Sequence, residues 1–183
     1  FSNGRRPFES LSEQEILALA ISSEEDDARI YLAYADGLRD EFPQSAKIFE
    51  QMADEEHQHR DALIARHRAR FGDNIPLIRR EHVVTANAGM SERVERDSME
   101  RVMAAVKPVL LDASSGAQPA AAQMEEQAYR FYIEAAKRVT DAQTRQLLGD
   151  LALQEKKHEA KAESLENELT PHTVQDEERA LER

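Results

Sequence analysis

Among its 183 residues the chain has no cysteine and no tryptophan. The missing cysteine excludes disulfide staples, thiolate zinc sites, iron–sulfur clusters and thiol catalysis. Glycine and proline number six each, and aromatic residues make up only 5% of the chain. That is too little turn and strand chemistry for a sandwich or a barrel. Positive charge is also scarce, with 24 Lys and Arg against 36 Asp and Glu, a formal charge of −12. A nucleic-acid surface needs clustered cations to displace counterions from phosphate, so no nucleic-acid partner is expected. No apolar run approaches the ~20 residues that span a bilayer. Residues 1–9, FSNGRRPFE, lack the apolar core of a signal peptide. What is present, 40% apolar and 33% charged residues, is the composition of long amphipathic helices in a single domain.

The helices are legible from their stripes. Ser10 or Ser12 caps the first, with Glu13 and Glu15 in its opening turn, where acids suit the helix dipole. Ile16, Leu17, Ala20, Ile21, Glu24, Ala28, Tyr31, Ala35 and Leu38 then recur at steps of three and four. Phe42-Pro43 separates this helix from a second, with Ile48, Phe49, Met52, Glu56, His59 and Leu63 on one face and a stop near Phe71-Gly72. Residues 73–90 read as a connector, 91–111 as a shorter helix and 112–119 as a loop. A third long helix is expected from about Pro119, striped by Ala121, Met124, Glu125, Ala128, Phe131, Tyr132, Ala135 and Val139. After a turn at Thr140-Asp141 the fourth carries Leu147, Leu148, Leu151, Glu155, His158, Ala162, Leu165 and Leu169, and Pro171 closes it. The expected division is an arm over 1–11, a bundle over 12–170 and a charged, helical tail over 171–183.

The two helix pairs are alike. RIYLAYADGL (29–38) overlays RFYIEAAKRV (130–139), and IFEQMADEEHQH (48–59) overlays LLGDLALQEKKH (147–158). Two copies of a helical hairpin joined by a long crossover make an all-α four-helix bundle. The overlay also brings the residues that interrupt the apolar stripes into register: Glu24 matches Glu125, and Glu56-x-x-His59 matches Glu155-x-x-His158. Residues three apart project from one helix face about 4.5 Å apart along the axis, so each such Glu and His can share a metal. One Glu-x-x-His pair is a weak signal in a Glu-rich chain. Two in the same phase of an apolar stripe, each with a Glu about thirty residues upstream on its partner helix, are a strong one. Unpartnered buried carboxylates cost several kcal/mol or take up protons, and four together repel. Two divalent cations balance them, with the imidazoles as neutral ligands. Carboxylate and imidazole ligation without thiolate favours iron or manganese, with zinc a common substitute.

Other assignments stay open at this stage. Glu25, one step off the stripe, is a weaker alternative to Glu24, which has the Tyr at plus seven and the match to Glu125, and Glu126 is likewise the weaker alternative to Glu125. Tyr31 and Tyr132 fit either a plain core or hydrogen-bond partners behind the ligands, as does Glu55. Glu55, Asp27 and Asp54 fit equally a route feeding iron inward or a solvated acidic face. His57, His67, His82 and His172 lack the paired geometry and read as ordinary surface or loop histidines. The long crossover permits hairpins to be exchanged between two chains, so a homodimer is expected.

This pattern, a Glu from each of two helices and Glu-x-x-His from each of the other two, resembles the ferritin-like superfamily, in particular its rubrerythrin branch. The resemblance implies that Glu56 and Glu155 bridge the metals, that Glu24 and Glu125 are terminal ligands and that His59 and His158 complete one iron each. It implies ferroxidase-type chemistry in iron homeostasis. The alternatives are a peroxide-reducing enzyme with an external electron donor, and a structural or interaction module. Residues 11–38, 42–63 and 71–82 look more narrowly like the membrane-bound ferritin, or erythrin, group. There a cytoplasmic ferritin-like domain precedes a vacuolar-iron-transporter-type membrane domain. The resemblance, with the start at Phe1 rather than Met, implies a piece of a longer protein that works at the cytoplasmic face of the inner membrane. Two departures matter. The additional Glu of rubrerythrins three residues after the third-helix ligand falls at Ala128, so a rubrerythrin-type movement of iron is not expected. Without cysteine there is no rubredoxin-type electron donor, which disfavours a self-contained peroxidase.

Overall fold

The computed structural model describes residues 4–84 and 117–169. Helix α1 spans Glu13–Leu38. Ser12, not Ser10, is its cap: the Ser12 hydroxyl accepts from the Glu15 amide at 3.2 Å, and the Glu15 carboxylate accepts from the Ser12 amide at 3.2 Å. This reciprocal pairing satisfies two backbone donors that a helix start otherwise leaves unbonded. Ser10 instead donates to the Pro7 carbonyl. Helix α2 spans Pro43–Phe71, with proline in its first turn, where the missing amide donor is not needed. It ends at Gly72, whose φ of 88° lies in the left-handed region and whose amide donates to the Arg68 carbonyl.

Helix α3 spans Ala117–Arg138 and α4 spans Ala142–Leu169. Helix α3 therefore takes in Ala117 and Gln118, which the sequence placed in a loop, because Pro119 in an opening turn does not stop a helix. Asp141 caps α4, accepting from the Thr144 amide at 2.9 Å. The expected helix over 91–111, the expected loop over 112–116, Pro171 and the tail lie outside the described residues.

α1 packs along α2 and α3 along α4, while α1 also meets α3 and α2 meets α4. The four long helices form the expected all-α bundle. One addition is a minimal parallel pairing of β1 (Arg6–Pro7) with β2 (Val83–Val84). It brings the N-terminal arm beside the end of the connector, and Phe8, Leu11 and Val83 all enter the core. Phe8 meets Phe131 edge-on at 5.8 Å between ring centroids. The connector itself lies along α1: Ser22 donates to the Ile78 carbonyl at 2.6 Å, and Arg80 donates to Ser23 O and to Asp27 Oδ1.

The core has two apolar layers. One gathers Ile16, Leu17, Leu63, Val139, Leu148 and Leu151; the other gathers Tyr34, Leu38, Phe49, Met52, Met124 and Ala162. The carboxylates and imidazoles of the matched motifs are buried in the same bundle.

Candidate metal centre

Glu24, Glu56, Glu125 and Glu155 are 0–2% exposed, and His59 and His158 are 5% and 1% exposed. Their donor atoms fall into two groups of four, each within 4.8 Å: Glu24, Glu56, His59 and Glu155, and Glu56, Glu125, Glu155 and His158. Glu56 and Glu155 belong to both. The groups are related by the hairpin repeat, so each has one Glu-x-x-His imidazole, one carboxylate of its own and two shared carboxylates.

The imidazoles turn the same nitrogen inward. His59 Nδ1 lies 3.2 Å from Glu155 Oε1 and 3.6 Å from Glu24 Oε2. His158 Nδ1 lies 2.8 Å from Glu56 Oε1 and 3.5 Å from Glu125 Oε2. The two rings are nearly parallel, 16° apart, with centroids at 5.7 Å. Their Nε2 atoms point away from the four clustered glutamates: that of His158 is bonded to Glu55 Oε2, and that of His59 meets Gln154 Oε1 at 3.2 Å.

The tyrosines close the arrangement. Tyr31 donates to Glu125 Oε1 and Tyr132 donates to Glu24 Oε1. Residues 24 and 31 of α1 thus face 132 and 125 of α3, so these helices run antiparallel. A Glu followed seven residues later by a Tyr, present on both helices, is self-complementary across such a pair. Burial first, then the neighbouring carboxylates, push both phenols well above their ordinary range, which keeps them protonated as donors.

What the cluster lacks is partners for its inward atoms. Glu24 Oε2, both Glu56 oxygens, Glu125 Oε2, Glu155 Oε2 and His158 Nδ1 are buried without a hydrogen bond. A native core seldom leaves so many polar atoms together unsatisfied. Burial, with repulsion from the other carboxylates, pushes the Glu56 and Glu155 carboxyls well above the ordinary range. Burial works the same way on Glu24, yet the neighbouring Glu56 carboxyl, the His59 imidazole and the Tyr132 hydroxyl that donates to it together hold it below that range. Burial opposes a charge on His158, but the carboxylates of Glu125 and Glu55 outweigh it and raise its pKa. Cations remove the repulsion, take the unpartnered lone pairs and displace the protons. The residues fit metal binding.

Other candidates fall outside the cluster. Glu25 and Glu126 are half-buried, and Glu126 pairs with Arg130. Asp54 is exposed. Asp27 does not lie on a solvated face: it is 4% exposed and bonded by Arg80 at 2.7 Å. His67 is no surface histidine either. It is fully buried, and its Nδ1 meets the Gly72 carbonyl at 2.9 Å, tying α2 to its own terminus. His57 is half-buried and His82 is exposed, while His172 lies outside the described residues. Sequence reasoning missed Gln154 behind His59, although the hairpin overlay sets it opposite Glu55.

Two helical hairpins enclosing four carboxylates and two imidazoles define a ferritin-like bundle with a core suited to metal. The sequence model of the rubrerythrin family matches residues 15–166, and the chain belongs to that family. Neither the curated proteins nor the solved structures include a match to it. Among the described residues no helix is long and apolar enough to cross a membrane.

Proposed function

We propose that the bundle binds two Fe(II) ions and oxidises them in the service of iron homeostasis. The observation that carries this reading is the pair of overlapping donor groups sharing Glu56 and Glu155. Glu24 and His59 would hold one ion and Glu125 and His158 the other, with Glu56 and Glu155 shared between them. Bound iron supplies the electrons: two Fe(II) become two Fe(III), and one dioxygen takes the two electrons and two solvent protons to leave as hydrogen peroxide. The chain's part is to hold the charge and geometry. Two carboxylates anchored by tyrosine hydroxyls and two oriented imidazoles would stabilise the ferric product, and Glu56 and Glu155 would offer oxygens to both ions. The same reading includes a homodimer and delivery of iron to an attached membrane exporter of the erythrin type.

Anaerobic Fe(II) titration should saturate at two ions per chain, and admission of air should then consume oxygen. Glu56→Ala and Glu155→Ala should each abolish paired binding; a variant that still takes two ions would sink the assignment. Rapid peroxide turnover with an added electron donor, and little reaction with oxygen, would favour a peroxide-reducing enzyme. Loss of folding on metal removal without any redox activity would favour a structural metal.

A further inference from the structure

The hairpin repeat makes the two halves of the centre alike, but the outer partners of its two histidines differ. Glu55 precedes Glu56 on α2, and Gln154 precedes Glu155 on α4. Each reaches across to the histidine of the other helix and meets its Nε2: Glu55 bonds His158, and Gln154 meets His59. The two imidazoles therefore have the same inward atom, the same burial and different outer partners. His158 has a carboxylate and His59 has a neutral amide.

An imidazole whose outer N–H is held by a carboxylate carries more electron density on its other nitrogen and binds a cation more strongly than one held by an amide. The outer partner also fixes the tautomer, with the proton on Nε2 and the lone pair on Nδ1. Lys161 lies 3.0 Å from the remaining Glu55 oxygen, Oε1. It offsets part of that negative charge, but its side chain is 45% exposed and its field is screened by water. The oxygen on His158 faces a ring that is 1% exposed, and the Glu55 side chain, at 33% exposed, is more sheltered than Lys161, so screening is weaker on that side. The added carboxylate wins.

We infer that the two metal positions are unequal: the position at His158, with Glu125, is the tighter one and fills first, and the residue before each bridging glutamate sets that order. Glu55 is a positioning residue, acting through His158. The inference rests on the two-metal reading above and adds a loading sequence to it. In a protein that takes up and releases iron, a strong position beside a weaker one gives a retained ion and an exchangeable ion.

The probe is Co(II) alone, which reports binding through its absorption and its place through anomalous scattering in crystals. At one equivalent, the wild-type protein should show cobalt beside His158 in excess over cobalt beside His59. Glu55→Gln keeps the shape and the hydrogen bond and removes the charge; it should lower affinity at the His158 position roughly 10- to 100-fold and abolish the excess. Gln154→Glu should strengthen the His59 position, and the double exchange should reverse the filling order. Unchanged helical circular dichroism in each variant separates these effects from misfolding. Two cobalt ions bound with equal occupancy in the wild type, or an excess that survives Glu55→Gln, would overturn the inference and leave the two-metal reading standing. Failure of the wild type to take up two ions would overturn both.

Discussion

A glutamate inside an apolar stripe is conspicuous, and the donor residues were readable for that reason. Helix periodicity alone put Glu24, Glu56, Glu125 and Glu155 where Leu or Ala was expected, and the hairpin overlay chose Glu24 over Glu25. Which hydroxyl meets which carboxylate was not readable. Tyr31 lies about 10.5 Å along the axis from Glu24 on its own helix, so its partner depends on which helix packs alongside and in which direction. The structure pairs it with Glu125. Removing that hydroxyl leaves a buried carboxylate oxygen without its donor, and a hydrogen bond to a charged group is worth about 1.5–3 kcal/mol. Tyr31→Phe and Tyr132→Phe should therefore each weaken metal binding about 10- to 100-fold in a chelator competition titration. Tyr31→Phe should act through Glu125 and Tyr132→Phe through Glu24. Unaltered affinity in both variants would mean that the tyrosines only fill space.

At the level of helices and turns, the boundaries written in local chemistry were legible: the capping box at Ser12, the proline after Phe42 and the glycine at 72. The connector's attachments were not, because Ser22 and Arg80 bind backbone carbonyls and a carboxylate distant in sequence, contacts that leave no periodic trace. The turn between α3 and α4 shows how the two hairpins are locked together. Asp141 caps α4 through the Thr144 amide and hydroxyl and also takes Arg66 of α2 at 3.1 Å. Glu13 of α1 accepts the Thr140 hydroxyl of the same turn at 2.6 Å. Losing a cap costs about 0.5–2 kcal/mol, and a partly exposed ion pair adds up to about 1 kcal/mol. Urea unfolding should show Asp141→Ala with a clearly lowered midpoint. Asp141→Asn, still a cap but uncharged, should lower it well under half as far. Metal stoichiometry should be the same in both. Equal losses in the two variants would transfer the effect from the cap to the charge.

For the molecule as a whole, the acidic composition has an internal consequence. Glu56 and Glu155 are pushed up by burial and then by repulsion from neighbouring carboxylates, Glu24 first for Glu56 and Glu125 first for Glu155. Asp27 is raised from 3.8 to about 7, first by burial and then by the charges of Glu24 and Glu125, with Arg80 acting in the opposite direction. A carboxyl whose pKa is higher folded than unfolded binds its proton more tightly in the native state. Its contribution to stability is complete below the unfolded value and is lost as pH rises through the folded one. For Asp27 that window runs from 3.8 to about 7, and the two glutamates act in the same direction from the ordinary carboxylate range upward. The metal-free bundle should thus become less stable between about pH 5 and pH 7, which is unusual for an acidic protein far from its unfolding limits. Metal ions require the deprotonated ligands and bind the folded state alone, so the stabilisation they add should grow over the same interval. Thermal melts in excess chelator and in excess Mn(II), a redox-quiet stand-in for iron, should therefore diverge as pH rises. Asp27→Asn retains an acceptor for Arg80 and cannot ionise, and it should make the metal-free decline shallower. A metal-free melting temperature that holds level or climbs between about pH 5 and pH 7 would show that the buried carboxyls do not carry the protons their surroundings assign to them.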